Sequence, residues 1–409
     1  MKKIKNIVVV IDHGYISGGA AKVALSSLSH LKNRGLNVHL VYGVGPLDSS
    51  IDTKEIYCYC LNRQELSKNN SVMNAFFLGL WDPYASRSFG AVLSSLDPED
   101  TVIHFHTWTK SLSSSVIRKA WSEKFKVVCT LHDFFVSCPN GGFYNYNTKM
   151  ACNLKPMSLS CILTNCDSRS YTHKVWRLVR QFIQEKFSKM PGKVNHFISI
   201  STYSEIILRK FLPIHSTISR INNPVDSPKK ILAKPSSAAL FTFIGRLSPE
   251  KGADLFALAA NLAGVEACFV GEGEQLDLLK QLCPDAIFLG WQDKSGVISA
   301  LESSRALIFP SRWHETQGLV VAEAAALGVP SIVSDACAAI DYVENGKTGL
   351  TFVSGDIQDL ANKINDLKEN PLKADFLGEA AYAKHCSTFC SIDKHADDLI
   401  KCYNDTLNS

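Results

Sequence analysis

The stretch Leu240–Gly252, LFTFIGRLSPEKG, is typical of a buried β-strand that ends in a glycine turn and leads into a helix. Its strand is apolar over Leu240–Ile244, and Gly245 permits the sharp turn that follows. The same unit, a short apolar run followed by a helical pattern, recurs along both halves of the chain. Strands and helices that alternate in this way predict an α/β fold with parallel sheets covered by helices.

The predicted strands fall into two groups, one in each half of the chain. The first group is Ile7–Ile11, Val38–Tyr42, Val102–Phe105, Val127–Leu131 and His196–Ile200. The second group is Leu240–Ile244, Glu266–Val270, Ala286–Leu289, Ala306–Phe309 and Pro330–Ser334. Because 409 residues exceed what a single core usually holds, we expect two doubly wound lobes of about 200 residues each. Ligands of such sheets bind at the carboxyl ends of the strands, here in a central cleft.

The domain boundary is predicted where the composition changes to turn-forming residues. Asn222–Asp226 and the Lys/Pro/Ser-rich stretch up to Ser237 suit a turn and hinge. We therefore expect an N-terminal lobe over 1–222, with a cysteine-containing insertion at about 137–167, and a C-terminal lobe over 223–391. The tail 392–409 is predicted to form a helix, Ile392–Leu407, that packs back toward the first lobe.

Composition limits the location and the partners. The formal charge of +4 is too small to predict a nucleic-acid partner. Met1–Ile11 resembles a first strand more than a signal peptide, and no window reaches the ~18 apolar residues of a membrane span. We expect a cytoplasmic protein, with peripheral contact at the inner membrane if a lipid-linked partner holds it there.

The stretch Pro310–Glu323, PSRWHETQGLVVAE, carries the most specific functional pattern. Gly318 and Leu319 open a predicted helix, so Glu315 lies in the preceding loop and Glu323 about one turn inside. Both carboxylates then face one ligand, Glu323 suiting the diol of a ribose and Glu315 a transferred sugar. The free N–H groups at the helix start suit a diphosphate. The pair alone would also fit two surface glutamates of an amphipathic helix.

Two cations follow the strand that opens the second half. Arg246 and Lys251 are five positions apart beside the Gly245 turn, with the charge and reach to neutralise a leaving diphosphate. Solvated surface charges are the alternative. In the first half, Gly18 and Gly19 follow the first strand and open a helix, which suits close backbone approach to an anionic ligand.

Histidines also follow strands of the first half. His132 ends the strand Val127–Leu131, and it suits either a functional residue that faces the cleft or a structural histidine with its hydrogen bonds satisfied. His104 and His106 alternate along another strand and are predicted to be structural.

These motifs together resemble the family-4 retaining glycosyltransferases. The resemblance rests on Gly-Arg-Leu-x-x-x-Lys-Gly at Gly245–Gly252, Glu-x7-Glu at Glu315–Glu323 and Ala-x-Gly-x-Pro at Ala326–Pro330. It implies the GT-B architecture of two Rossmann-like lobes, with the acceptor bound by the lobe 1–222 and the nucleotide-sugar donor by the lobe 223–391. The resemblance also implies a reaction that requires no metal. It also implies donor contacts by Arg246, Lys251, Glu315 and Glu323, a Gly18-Gly19 loop near the donor phosphate, and His132 near the primary hydroxyl of the sugar.

Two positions depart from the family pattern. Thr316-Gln317 replaces the usual Gly-Phe after the first glutamate, and Asp335-Ala336-Cys337 replaces a usual Gly-Gly pair. Both changes are expected to affect donor choice.

The predicted function is that of a retaining glycosyltransferase acting on a nucleotide-diphosphate sugar and a glycan or lipid-linked acceptor. The family's common work makes bacterial surface polysaccharide, such as O-antigen or capsule, the expected pathway by resemblance alone. A nucleotide-sugar epimerase of the same architecture and a non-catalytic sugar-nucleotide-binding subunit are alternatives. The sequence leaves open the donor nucleotide, the sugar, the acceptor, the linkage and the oligomeric state.

Two features of the first half have two interpretations each. Four of the thirteen cysteines, Cys138, Cys152, Cys161 and Cys166, suit either a structural zinc clip or free thiols in a lid, and their loose spacing favours the thiols.

The helix His173–Met190 carries apolar and basic residues. It suits either contact with an anionic bilayer or, as preferred here, lobe packing with a solvated basic face.

Overall fold

The computed structural model describes residues 2–225 and 232–409. Its strands are β1 (Asn6–His13), β2 (Asn37–Val44), β3 (Tyr57–Cys60), β4 (Thr101–Phe105), β5 (Lys126–Thr130), β6 (Tyr144–Asn145), β7 (Met150–Ala151), β8 (His196–Ser199), β9 (Thr217–Arg220), β10 (Leu240–Ile244), β11 (Ala267–Val270), β12 (Ile287–Gly290), β13 (Ser304–Phe309), β14 (Ser331–Ser334) and β15 (Gly349–Phe352). Its helices are α1 (Gly19–Asn33), α2 (Val72–Leu80), α3 (Pro83–Leu93), α4 (Ser115–Ser122), α5 (Leu159–Leu163), α6 (Tyr171–Lys186), α7 (Thr202–Arg209), α8 (Ala253–Ala263), α9 (Leu276–Leu282), α10 (Lys294–Glu302), α11 (Leu319–Ala326), α12 (Ile357–Glu369), α13 (Pro371–Thr388) and α14 (Ile392–Leu407).

Thirteen of the described strands form two parallel sheets, as predicted, and β6 and β7 form a separate antiparallel pair. Over the described residues the first sheet has the order β3-β2-β1-β4-β5-β8-β9 and the second has the order β12-β11-β10-β13-β14-β15. In both sheets the first strand of that half of the chain, β1 or β10, lies in the interior of the sheet. The chain adds strands on one side of it and then crosses back to add strands on its other side. The order therefore reverses between β1 and β4 and between β10 and β13, and a crevice for ligands opens at the carboxyl ends of these strand pairs.

Each sheet has its own apolar core. The interior strands are buried on both faces and are almost continuously apolar, as in Ile7–Ile11 of β1. In the second half, helix α8 contributes a buried face of mainly small residues that packs on Phe241 and Phe269. The two rigid sheets hold the loops at their carboxyl ends in fixed positions.

Helix α14 lies against the first sheet although it follows the second sheet in sequence. It packs on α1, β4 and β5, and the Tyr403 hydroxyl shares a hydrogen bond of 2.7 Å with His104 Nδ1. His395 Nδ1 donates to the carbonyl oxygen of Asn222 at 2.9 Å, at the start of the predicted hinge. The rest of that hinge prediction falls partly on 226–231, which lie outside the described residues.

Helix α6 buries its polar face, whereas the preferred prediction was a solvated basic face. Lys174, Gln181 and Gln184 are buried, and the two glutamine side chains donate to the carbonyl oxygens of Val136 and Phe135. The apolar side chains Tyr171, Val175, Val179 and Phe182 are 39–49% exposed. The helix packs through polar contacts with the insertion, and so the apolar stripe faces outward.

Within residues 2–225 and 232–409, no helix has the length and apolar character that crossing a bilayer requires.

Candidate active site

A partly buried ion pair lies at the carboxyl ends of β10 and β13. Lys251 Nζ donates to Glu315 Oε1 in a short contact, and Ser311 Oγ donates to the same carboxylate oxygen at 2.9 Å. Lys251 Nζ also lies 5.3 Å from the centre of the Trp313 ring. Because Glu315 is only 7% exposed, the ammonium is held in a site of low dielectric where its field acts strongly on a nearby anion.

Glycines at close contacts bring the two charged side chains together. Gly252 has φ of 72°, and a Cβ there would lie 2.1 Å from the carbonyl oxygen of Pro310. Only glycine therefore allows the start of α8, with Lys251 beside it, to approach the loop that carries Glu315. Gly318 has a similar role, since a Cβ there would lie 2.9 Å from the Cβ of Ala339.

Arg246 lies at the end of β10 with an exposed side chain. The preceding Gly245 donates its backbone N–H to the carbonyl oxygen of Val270 at 2.9 Å. The guanidinium lies near Tyr146 of the insertion: burial raises the pKa of Tyr146 to about 12, and the charge of Arg246 opposes this rise. Arg246 is thus a cation on the same strand end as Lys251.

The start of α11 faces the Gly18-Gly19 loop across the crevice. Gly318 precedes the helix and provides no side-chain cap for its first N–H groups. A Cβ on Gly19 would lie 3.7 Å from Leu319 Cδ1. The Glu323 carboxylate lies 3.6 Å from Lys22 Nζ of α1. The structure therefore brings Gly18, Gly19, Gly318, Leu319 and Glu323 to one place.

His132 lies between the two halves of the crevice. Its Nε2 is 2.8 Å from His106 Nδ1, and Thr316 Oγ1 donates to its carbonyl oxygen at 2.8 Å. Burial lowers the pKa of His132 to about 3, so the imidazole is neutral near pH 7. His106, which was predicted to be structural, thus also fixes the orientation of the His132 imidazole.

Asp133, next to His132, has an altered pKa. Burial raises the pKa of the Asp133 carboxyl to about 6, although the backbone N–H of Phe135 donates to it at 2.9 Å. The carboxyl therefore titrates close to physiological pH.

Further contacts join the two halves and were not predicted. Tyr203 Oη shares a hydrogen bond of 2.7 Å with His314 Nδ1, and Asp341 Oδ2 accepts from the backbone N–H of Thr202 at 2.7 Å. Ser311, Trp313 and Thr316 lie inside the motif that drew attention to Glu315. Tyr203, Asp341 and Lys22 have no local pattern that would single them out.

Comparison with known protein families decides the identity. The family model described as Glycosyltransferase Family 4 matches residues 17–228, more than half of the chain, and the model described as Glycosyl transferases group 1 matches residues 225–384. The chain belongs to glycosyltransferase family 4.

Similar proteins fit this family-4 assignment. Glycogen synthase of Mycobacterium tuberculosis is 29% identical over 203 residues, which cover 46% of this chain and 49% of that protein. The UDP-Gal:alpha-D-GlcNAc-diphosphoundecaprenol alpha-1,3-galactosyltransferase of Escherichia coli is 31% identical over 156 residues, which cover 35% of this chain and 40% of that protein. The chain spans about half the length, or less, of these curated relatives.

A solved structure shares the fold over nearly the whole family-4 chain. HepE of Anabaena, solved with UDP and glucose, superposes with a TM-score of 0.67 at 17% identity, covering 98% of this chain and 100% of that chain. The predicted GT-B architecture is confirmed by this likeness and by the two parallel sheets.

The four cysteines of this family-4 chain, for which the sequence left open a zinc clip or free thiols, are free cysteines in the structure. Among residues 2–225 and 232–409, no group of three or more His, Cys, Asp or Glu side chains is placed to hold a metal ion. Instead, Lys174 Nζ lies 3.1 Å from Cys166 Sγ and 3.6 Å from Cys161 Sγ. An ammonium group sits beside two of the thiols.

Proposed function

We propose that this family-4 chain is a retaining, metal-independent glycosyltransferase that moves one sugar from a nucleotide-diphosphate sugar to a glycan or lipid-linked acceptor. The single observation that carries the proposal is the partly buried Lys251–Glu315 pair at the strand ends that also present Arg246 and the start of α11. In this proposal the two cations and the helix N-terminus act together on a departing diphosphate, which needs compensation for its charge.

Loss of the nucleotide diphosphate is the step that these groups would assist. As the glycosidic bond breaks, negative charge grows on the leaving phosphate oxygen, and Arg246 and Lys251 stabilise it by charge-assisted hydrogen bonds. Both cations are provided by the protein chain, so the proposal requires no divalent metal at this step.

Glu323 and the Gly18-Gly19 loop would hold the rest of the donor. The ion pair between Glu323 and Lys22 is long and partly exposed, and such a pair contributes little free energy. A ribose diol can therefore displace Lys22 from Glu323 at little cost in free energy, and the Glu323 carboxylate then accepts two hydrogen bonds from the diol. The facing glycines leave room for the phosphates.

Retention of configuration would follow from attack on the same face as the leaving group. Glu315 is engaged by Lys251 and Ser311, so it is better suited to orient the sugar than to attack it. A neutral His132 suits a hydrogen bond to a sugar hydroxyl.

Bacterial surface polysaccharide, such as O-antigen or capsule, is the proposed pathway. The name of the E. coli relative specifies a diphosphoundecaprenol acceptor, which is a lipid-linked glycan carrier. HepE was solved with UDP and glucose, which favours a UDP-sugar as the first donor to test.

An apolar surface on the first half suits peripheral contact with the inner membrane. This α2–α6 surface consists of exposed side chains of three helices: Val72, Met73, Phe76 and Phe77 of α2, Leu159 and Leu163 of α5, and Tyr171, Val175, Val179 and Phe182 of α6. Trp176 Nε1 donates to the carbonyl oxygen of Phe76, and Tyr171 Oη donates to that of Ile162, so the three helices are joined. Exposed Lys68, Lys155 and Lys186 suit anionic headgroups.

A donor and acceptor assay tests the activity. Thermal shifts with a panel of UDP- and GDP-sugars identify the donor, and transfer to a polyprenyl-diphosphate-linked glycan is then followed in EDTA, with the anomeric configuration read by NMR. Retained configuration with EDTA-insensitive transfer is expected. Donor conversion without acceptor would indicate the epimerase, and donor binding without turnover would indicate the binding subunit.

Vesicle flotation tests the membrane contact separately. Vesicles with anionic lipid should bind the chain, and Phe182→Asp should weaken binding at least about tenfold, because it places a charge in the apolar surface. Leu372→Asp on α13 is the matched control, since Leu372 is also exposed but lies on the other half. Equal binding by both variants would contradict the assignment.

A further inference from the structure

A buried ammonium group lies beside two thiols in the insertion of the first half. Lys174 is only 1% exposed, and its Nζ contacts the sulfur atoms of Cys166 at 3.1 Å and Cys161 at 3.6 Å. Both cysteines are themselves buried. Over residues 2–225 and 232–409, no carboxylate forms an ion pair with Lys174. This cluster has no part in the proposed transfer reaction.

Lys174 places its ammonium group against two buried thiols. An ammonium removed from water is costly unless a negative group compensates its charge. Cys166 and Cys161 are the groups with an acidic proton in contact with Lys174, and Cys166 is the nearer one. The thiolate is the nucleophilic form of cysteine, and a neighbouring lysine favours it.

We propose that Cys166 and Cys161 are a peroxide-reactive thiol pair that closes a reversible disulfide, with Lys174 holding Cys166 as the thiolate. In the first step the Cys166 sulfur attacks a hydroperoxide oxygen: an S–O bond forms, the O–O bond breaks, and water or an alcohol leaves with a proton from Lys174. In the second step the Cys161 sulfur attacks the sulfenic sulfur: an S–S bond forms, the S–O bond breaks, and water leaves with the Cys161 proton. Two thiols are oxidised and one peroxide is reduced, and a dithiol reverses the change.

The position of the pair connects it to the cleft. Asn140 Nδ2 donates to the carbonyl oxygen of Cys166 at 2.9 Å. Two residues further on, a Cβ on Gly142 would lie 3.0 Å from the Trp313 ring, which itself lies beside Lys251. A disulfide at Cys166 therefore alters the restraint on a loop that lines the candidate active site.

Differential alkylation of the full chain tests the proposal. The reduced protein is treated with hydrogen peroxide, free thiols are blocked with light iodoacetamide, and reversibly oxidised thiols are then reduced and labelled with the heavy reagent. Trypsin does not cut the Lys155–Pro156 bond, so one peptide, Met150–Arg169, carries Cys152, Cys161 and Cys166. Heavy label on Cys161 and Cys166 with light label on Cys152 is expected, which makes Cys152 an internal control.

Two variants test the roles of the individual groups. Lys174→Met should slow oxidation of Cys166 at least about tenfold, because the thiolate loses its counter-charge. Cys161→Ser should leave a sulfenic acid on Cys166 that dimedone traps, and this measurement does not depend on whether the Lys174 variant folds. Heavy label on Cys152 at the same level, or reduced Cys161 and Cys166 while the exposed Cys386 oxidises, would overturn the proposal. So would one zinc per chain that is lost in Cys166→Ser.

Discussion

Replacing Lys251 by methionine tests the charge compensation at the candidate active site. The variant keeps an apolar stem and removes the ammonium that contacts Glu315. Loss of one group that stabilises developing charge typically costs about 3 kcal/mol in the barrier, so kcat should fall about 10² to 10³-fold. Breaking a buried ion pair costs about 3–5 kcal/mol of stability, and here about 2–3 kcal/mol is expected because the Lys251 side chain is 20% exposed.

The assay separates these two losses. Turnover is measured at saturating donor and acceptor, and stability by urea unfolding. The double variant Lys251→Met with Glu315→Gln should regain much of the stability, since no buried charge is left alone, but none of the activity. Lys363→Met is the matched control, because Lys363 pairs with Asp359 on the partly exposed surface of α12, and it should change stability by less than about 0.5 kcal/mol. A folded Lys251→Met variant with wild-type kcat would refute the role of Lys251.

Three further predictions concern the crevice. Glu323→Gln should weaken donor binding at least about tenfold with little change in kcat, because the ribose loses a charged acceptor; calorimetry that finds unchanged donor affinity would contradict this. Thr316→Val removes the hydrogen bond to the carbonyl oxygen of His132 and should lower the free energy of unfolding by about 1 kcal/mol, measured in urea, whereas no change would show that the contact contributes nothing. Burial raises the pKa of Asp133 to about 6, so the folded state binds the proton more tightly and stability is lost as pH rises from about 4 through 6. Asp133→Asn should therefore be about as stable as the wild type near pH 3 and about 3 kcal/mol more stable at pH 8, and identical pH profiles of unfolding would contradict the assignment.

The interior strands of both large sheets and the edge strand β12 could be predicted from sequence, and the other edge strands could not. Leu240–Ile244 and the tail helix Ile392–Leu407 lie where the apolar periodicity placed them. β3, β9 and β15 at the edges were missed, and so was the antiparallel pair β6 and β7. β3 and β9 are short edge strands that are only half-buried, so their sequences lack the continuous apolar run that marks an interior strand.

The local motifs of the site could also be predicted, but their partners could not. Glu315 and Lys251 stood out because each lies beside a strand end and a glycine turn. The contact between Lys22 and Glu323 joins residues that are far apart in sequence, and no local pattern indicates it. The burial of the polar face of α6 was missed for the same reason, since Lys174 and Gln184 find their partners on other segments.

A structure of the chain with its nucleotide sugar tests the central claim most directly. The donor used is the nucleotide sugar that gives the largest thermal shift. We expect its diphosphate to contact Arg246, Lys251 and the N–H groups at the start of α11, and its ribose hydroxyls to contact Glu323. A donor bound away from these side chains, or bound with its diphosphate facing neither cation, would contradict the account.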